Sequence, residues 1–199
     1  MAAQNGHSHH LKVIAVNVQG LQNKHLHILD FLTKCNCSIA ILSEVETTHG
    51  KAATAHMEGF RTFCPPSTDT GPPEKEVGVI MMISDNLASS AKPRPNINGM
   101  DTVQTVWVEF TELKMLVGGV YRRCRTGQPD LENVEFDQLT SQILRAVSTG
   151  LKILLIGDTN LDHFNPNHRR ALEASIFLQF IEMANMRHLP KGPTWRSHC

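Results

Sequence analysis

Residues 131–158 constrain the fold more than any other part of the chain. Leu139, Ile143, Leu144 and Val147 recur at three- and four-residue spacing, the pattern of an amphipathic helix over residues 131–147. Gly150 stands where such a helix stops. Residues 151–157 then form an apolar run that ends in Asp158. A strand with two apolar faces must be covered on both sides, so the chain has to fold in layers.

The same alternation recurs elsewhere. Residues 12–18 are an apolar, β-rich run, and residues 22–33 carry Ile28, Leu29 and Leu32 at helical spacing. Residues 38–42 read as a short buried strand that delivers Glu44 to its end, and residues 77–83 as another strand. Residues 103–110 and 114–121 are separated by Thr111-Glu112-Leu113, the length of a tight hairpin, with Val106, Val108 and Phe110 on one face. A further helix is expected over residues 171–183. Pro65-Pro66, Gly71 and Pro72-Pro73 make residues 65–76 a long loop, and residues 92–99 a second irregular segment is expected to follow. Helices between some strands and hairpins between others predict mixed sheets in a layered α/β fold, over residues 11–199 behind a flexible polar tail at 1–10.

Charge and composition exclude several functions. Nineteen Lys+Arg balance nineteen Asp+Glu, which removes the case for non-specific coating of nucleic acid. The longest apolar runs fall far below the roughly 20 residues of a membrane helix, and the first ten residues hold no signal-peptide core. The expectation is an intracellular protein, in nucleus or cytoplasm, without a membrane partner. Five unevenly spaced cysteines are no disulfide framework, and Cys35-Asn-Cys37 lacks the second pair that structural zinc needs.

Three strands end on polar groups: Asn17 after the first, Ser43-Glu44 after the second, and Asp158-Thr159-Asn160 after the last. A carboxylate or amide at the rim of a core is costly unless a ligand or hydrogen bond satisfies it. Two carboxylates and two amides without a thiolate suit a hard cation such as Mg²⁺, which takes one or two carboxylates, keeps several waters and relies on substrate phosphate for the rest.

Asn17 followed by Gly20-Leu21, Leu42-Ser43-Glu44, Val120-Tyr121-Arg122 and Gly157-Asp158-Thr159-Asn160, in that order, resemble the endonuclease/exonuclease/phosphatase superfamily. The Leu-Ser-Glu wording, the Tyr-Arg pair and the late Gly-Pro193-Thr194 are most similar to the endonuclease domain of non-LTR retrotransposons, related to apurinic/apyrimidinic endonucleases. The resemblance implies a four-layer α/β sandwich of two mixed sheets flanked by helices, and a Mg²⁺- or Mn²⁺-dependent DNA endonuclease. It implies Glu44 as metal ligand with Asn17 beside it, Asp158 as the group that orients or deprotonates the attacking water, Asn160 as a hydrogen-bond partner of the scissile phosphate and Tyr121 as a phosphate contact. Arg122 is expected to clamp phosphate through its planar fork of donors. A reverse transcriptase domain in a longer parent protein is the expected covalent partner.

Two departures bear on activity. Thr159 replaces the usual aromatic residue between Asp158 and Asn160, outside the reacting groups. The family's closing Ser-x-x-Asp-His or Ser-x-x-Asp-Leu segment is not completed after Ser197, and His198 is not in the matching place. The expectation is therefore a domain lacking its last strand or strands, weak or inactive as a catalyst. The alternatives are an inactive remnant acting as a binding module, or a phosphatase member of the superfamily. Glu46 takes the bland reading of a solvated loop acid, and His7, His9 and His10 that of a tail; Arg123 and Arg125, with Arg122 beside Tyr121, read either as a solvated cluster or as phosphate contacts; Asp162 and His163 follow Asn160 closely enough to touch the site, His163 reading as a hydrogen-bonded loop residue or, alternatively, as a substitute for the missing histidine.

Overall fold

The computed structural model describes residues 11–48, 51, 57–66, 76–98, 102–123, 129–161 and 171–189. The elements run β1 (Val13–Asn17), α1 (His25–Lys34), β2 (Ile39–Thr48), β3 (Phe60–Phe63), β4 (Glu76–Ser84), α2 (Asp85–Ala88), β5 (Ala91–Pro93), α3 (Pro95–Asn98), β6 (Gln104–Phe110), β7 (Met115–Tyr121), α4 (Pro129–Val147), β8 (Lys152–Asp158) and α5 (Ala171–Met183). They form two four-stranded sheets, ordered β1-β2-β4-β3 and β5-β6-β7-β8. Both are mixed: β1 and β7 pair in parallel with β2 and β8, and the remaining pairs are antiparallel.

Period-two alternation divides each strand between two cores. Ile39, Ile41, Val79, Met81 and Ile83 of the first sheet meet Val106, Val108, Phe110 and Val117 of the second. Ala40, Leu42, Ile80 and Met82 point the other way, under Ile28, Leu29 and Leu32 of α1. Val120 lies under Leu139 and Ile143 of α4 and Phe177 and Ile181 of α5. The result is helix, sheet, sheet, helix, the four-layer sandwich. Each fully buried Val, Leu, Ile, Met or Phe side chain among these contributes about 1.5–3 kcal/mol, and slipping one strand by a residue would exchange its two faces, so the pattern also fixes register.

Two expectations are corrected. Residues 92–99 are not irregular throughout. β5 pairs with Val108–Phe110 at the outer edge of its sheet, where Pro93 lacks only a donor that an edge strand can spare, and α3 follows. β3 was not expected either; four residues were too few to give a period. The hairpin turn is one residue longer than expected, with Phe110 opposite Met115 and Lys114 at φ 47°. The segment at 67–75, the tail at 1–10 and Asp162, His163, Arg125, Pro193, Thr194, Ser197 and His198 lie outside the described residues.

The face of β6 toward α4 is held by a buried polar network. Gln142 Oε1 accepts from Trp107 Nε1 at 3.0 Å and from the Thr105 hydroxyl at 2.5 Å, and Asn98 Nδ2 donates to the Thr105 carbonyl at 2.8 Å. This network pins the register of β6, and so places Gln104 at the end of the strand.

Candidate active site

The carboxyl ends of both parallel strand pairs and the amino ends of β4 and β6 meet at one rim. Asn17 is opposite Ser43, Tyr121 is opposite Asp158, and Gln104 is opposite Tyr121. Regular pairing breaks down here. Ser43 pairs with Val79 and Thr47 with Val77, so residues 44–46 all oppose Gly78. The bulge is accommodated by left-handed backbone at Glu44 (φ 53°) and Glu46 (φ 52°), around a fully buried Val45.

The loop after β1 docks on this bulge. Val18 N–H donates to Ser43 O at 2.9 Å, Gly20 N–H to Glu44 O at 2.8 Å and Leu21 N–H to Val45 O at 3.1 Å. Lys24 Nζ closes the loop from the other side, donating to Val18 O and Gln19 O at 2.7 and 2.8 Å. Gln19 (φ 45°) and Asn160 (φ 51°) are left-handed as well, so four of the seven described non-glycine residues with positive φ belong to this rim. Such conformations cost about 1–3 kcal/mol each and persist where the surroundings over-determine them.

Asn17 is exposed at the end of β1, and its Oδ1 accepts from Gln19 N–H at 3.2 Å. Asp158 Oδ1 accepts from Asn160 N–H at 2.9 Å, and Asn160 Nδ2 donates to Arg122 O at 2.5 Å, which orients both side chains where the chain leaves β8. Burial pushes the Asp158 carboxyl above the ordinary aspartate range; the Asn160 N–H opposes that push, and the charge of Glu44 adds a lesser one upward. The Tyr121 phenol is also held above its usual value, by burial and then Glu44; Arg123 opposes the shift and Asp158 and Glu46 add to it. Glu44, Asp158 and Tyr121 thus interact across the two sheets.

Arg122 is a correction. It is fully buried rather than presented to a substrate: a strand neighbour of inward-facing Tyr121, it turns to the helix side of the sheet. Its guanidinium pairs with Glu173 in the first turn of α5, lies 5.7 Å from the Phe136 ring centroid, and reaches Thr159 O at 3.5 Å. It braces the Asp158–Asn160 turn from behind. The cation that acts on Tyr121 at the rim is Arg123. Glu46, read from sequence as a solvated loop acid, is exposed but belongs to the bulge, and its Oε2 lies 3.3 Å from the position of a Cβ built on Gly20. Gly78 and Gln104 carried no sequence signal, because their role depends on contacts between sheets.

The donor set is all oxygen and nitrogen. Among the described residues no group of three His, Cys, Asp or Glu side chains could enclose a metal ion. Burial pushes the Cys37 and Cys64 thiols up to about 11, so neither offers a thiolate near neutral pH. These residues fit a hard cation held by one or two carboxylates with water and phosphate completing the shell, and not a closed zinc site.

Residues 14–199 match the model of the Endonuclease/Exonuclease/phosphatase family. No curated protein matches the chain by sequence. Solved structures with a similar fold include the endonuclease domain of TRAS1, a telomere-specific non-LTR retrotransposon, at a TM-score of 0.63 and 12% identity, covering 92% of this chain and 74% of that one. The AP endonuclease from Leishmania major is similar at 0.64 and 12%, covering 88% and 67%. The 3′ phosphatase NExo from Neisseria, bound to a product DNA hairpin, is similar at 0.61 and 19%, covering 87% and 71%.

Proposed function

Since the chain belongs to the Endonuclease/Exonuclease/phosphatase family, we propose that it is a divalent-metal-dependent phosphodiesterase acting on DNA, and specifically the endonuclease domain of a non-LTR retrotransposon-type protein whose reverse transcriptase shares the polypeptide. The observation that carries this reading is the meeting of Glu44, from the bulge within β2, with Tyr121 and Asp158, from the ends of β7 and β8, each felt electrostatically by another. The likeness to TRAS1 and to NExo supports DNA as the substrate.

Each group then has a task. Glu44, with Asn17 on the neighbouring strand, would hold Mg²⁺ or Mn²⁺, which supplies charge to polarise a non-bridging phosphate oxygen. Asp158 orients the attacking water and takes its proton, and its raised pKa makes it a better base than an ordinary aspartate. Tyr121 stays protonated there and donates a hydrogen bond to the phosphate. Asn160 supplies an amide proton, its other one being held by Arg122 O. Arg123 replaces Arg122 as the cation facing the phosphate.

The test is nicking of supercoiled plasmid with Mg²⁺ or chelator, alongside calorimetric titration of Mg²⁺. Wild type is expected to nick only with the ion, and Glu44→Ala to lose both nicking and ion binding. Equal ion affinity in the two proteins removes Glu44 from the site. Release of phosphate from a 3′-phosphorylated oligonucleotide without nicking replaces the endonuclease reading with a phosphatase one.

A further inference from the structure

The rim contains a contact between the sheets that none of the roles above uses. At Gly78, β4 has no regular partner on either side: β2 bulges away opposite it, and β3 has already ended at the Phe63–Met81 pair. The Gly78 N–H donates instead to Gln104 Oε1, from β6 of the other sheet. Gln104 is the cross-strand neighbour of Tyr121, and the Tyr121 ring lies against the same glycine. A Cβ built on Gly78 would stand 2.2 Å from Tyr121 Cδ1, 2.6 Å from Cε1 and 3.0 Å from Gln104 Oε1. Any side chain at 78 therefore displaces the ring or the amide.

We propose that Gly78 and Gln104 form a clasp that sets the Tyr121 hydroxyl against Glu44 and Asp158, making both positioning residues for the proposed phosphodiester hydrolysis. The clasp works through two constraints. The bare Cα of Gly78 gives the ring a floor, and the hydrogen bond to Gln104 fixes the distance between the β2–β4 bulge, which carries Glu44, and the β6–β7 ladder, which carries Tyr121. The bulge that gives Glu44 its unusual backbone is thus also what frees the Gly78 N–H for the other sheet. The catalytic part of this proposal rests on the function proposed above; the geometric part does not.

Tyr121 is the only tyrosine in the chain, so its exposure can be read without substrate. Wild type, Gly78→Ala, Gln104→Met, Tyr121→Phe and the double variant Gly78→Ala/Tyr121→Phe would be compared, with circular dichroism as the control for folding. Tetranitromethane nitration, followed by mass spectrometry, is expected to be faster in Gly78→Ala and in Gln104→Met, because the ring leaves its floor. Gly78→Ala is expected to lower kcat for plasmid nicking about as far as Tyr121→Phe, on the order of 10²-fold for loss of one placed donor, with little change in KM. The double variant should be no slower than Tyr121→Phe alone, since both remove the same placed hydroxyl. If Gly78→Ala fails to fold, Gln104→Met, which adds no bulk, carries the test. Unchanged nitration in the folded variants, or rate losses that multiply in the double variant, overturn the clasp. Faster nitration with Tyr121→Phe nicking at the wild-type rate upholds its geometry and instead removes Tyr121 from the proposed chemistry.

Discussion

Replacing Arg122 by alanine should damage the fold and leave the affinity of the folded protein for DNA nearly untouched. The guanidinium is fully buried and Glu173, its partner, is only 18% exposed at its side chain. Removing one member of a buried ion pair costs about 3–5 kcal/mol, because the other charge is left without a partner. The partial exposure of Glu173 lets water compensate and pulls the figure toward the lower end, whereas the lost stacking on Phe136 adds roughly 0.5–2 kcal/mol. We expect a destabilisation of about 3.5–5 kcal/mol in urea unfolding, read as a lower midpoint with an unchanged slope. Replacing both partners, Arg122→Met with Glu173→Leu, should recover most of it, since no buried charge then remains. In DNA-binding titrations across salt concentration, Arg122→Ala should keep the wild-type slope, and Arg123→Ala should reduce it by about 1. A loss below about 1 kcal/mol in stability together with a shallower salt slope for Arg122→Ala would refute this assignment and return Arg122 to the substrate.

The pKa directions give further expectations. In metal-free protein, the Asp158 carboxyl followed by NMR should titrate above the usual aspartate range, and Glu44→Gln should move it down by removing a like charge; an unchanged midpoint would separate the two groups. Raising the Tyr121 pKa in the folded state means that the native protein holds this proton more tightly than the unfolded chain does. Its stabilising effect is complete below the unfolded value of about 10 and is lost as pH rises through the folded value. Tyr121→Phe should accordingly flatten the alkaline fall in urea stability. Gly157 has φ +143°, and a Cβ there would lie 2.0 Å from Val120 O. Gly157→Ala should cost about 2–4 kcal/mol, from strain and overpacking together, measured by thermal or urea unfolding.

The sequence by itself determined the layers and the strand ends. Apolar runs such as residues 38–42 and 151–157 can be satisfied only by cover on both faces, and the three- and four-residue spacing in residues 131–147 can only be a helix laid over one of them. Glu44, Asp158 and Asn160 were legible because a polar group closing such a run is a local feature of the chain. What the tertiary structure decided is which of these groups share a space. Tyr121 and Arg122 are adjacent in sequence, yet strand alternation sends one between the sheets to the rim and the other under α5, and only the position of Glu173 shows which is which. The short β3 and β5 escaped detection because edge pairing with β4 and β6, rather than any period of their own, makes them strands. Gly78 and Gln104 lie 26 residues apart on different sheets, and their contact exists only because β2 bulges where β3 has ended. Local pattern records how each segment meets its own neighbours; packing between sheets depends on where all the segments go, and that is a property of the folded chain.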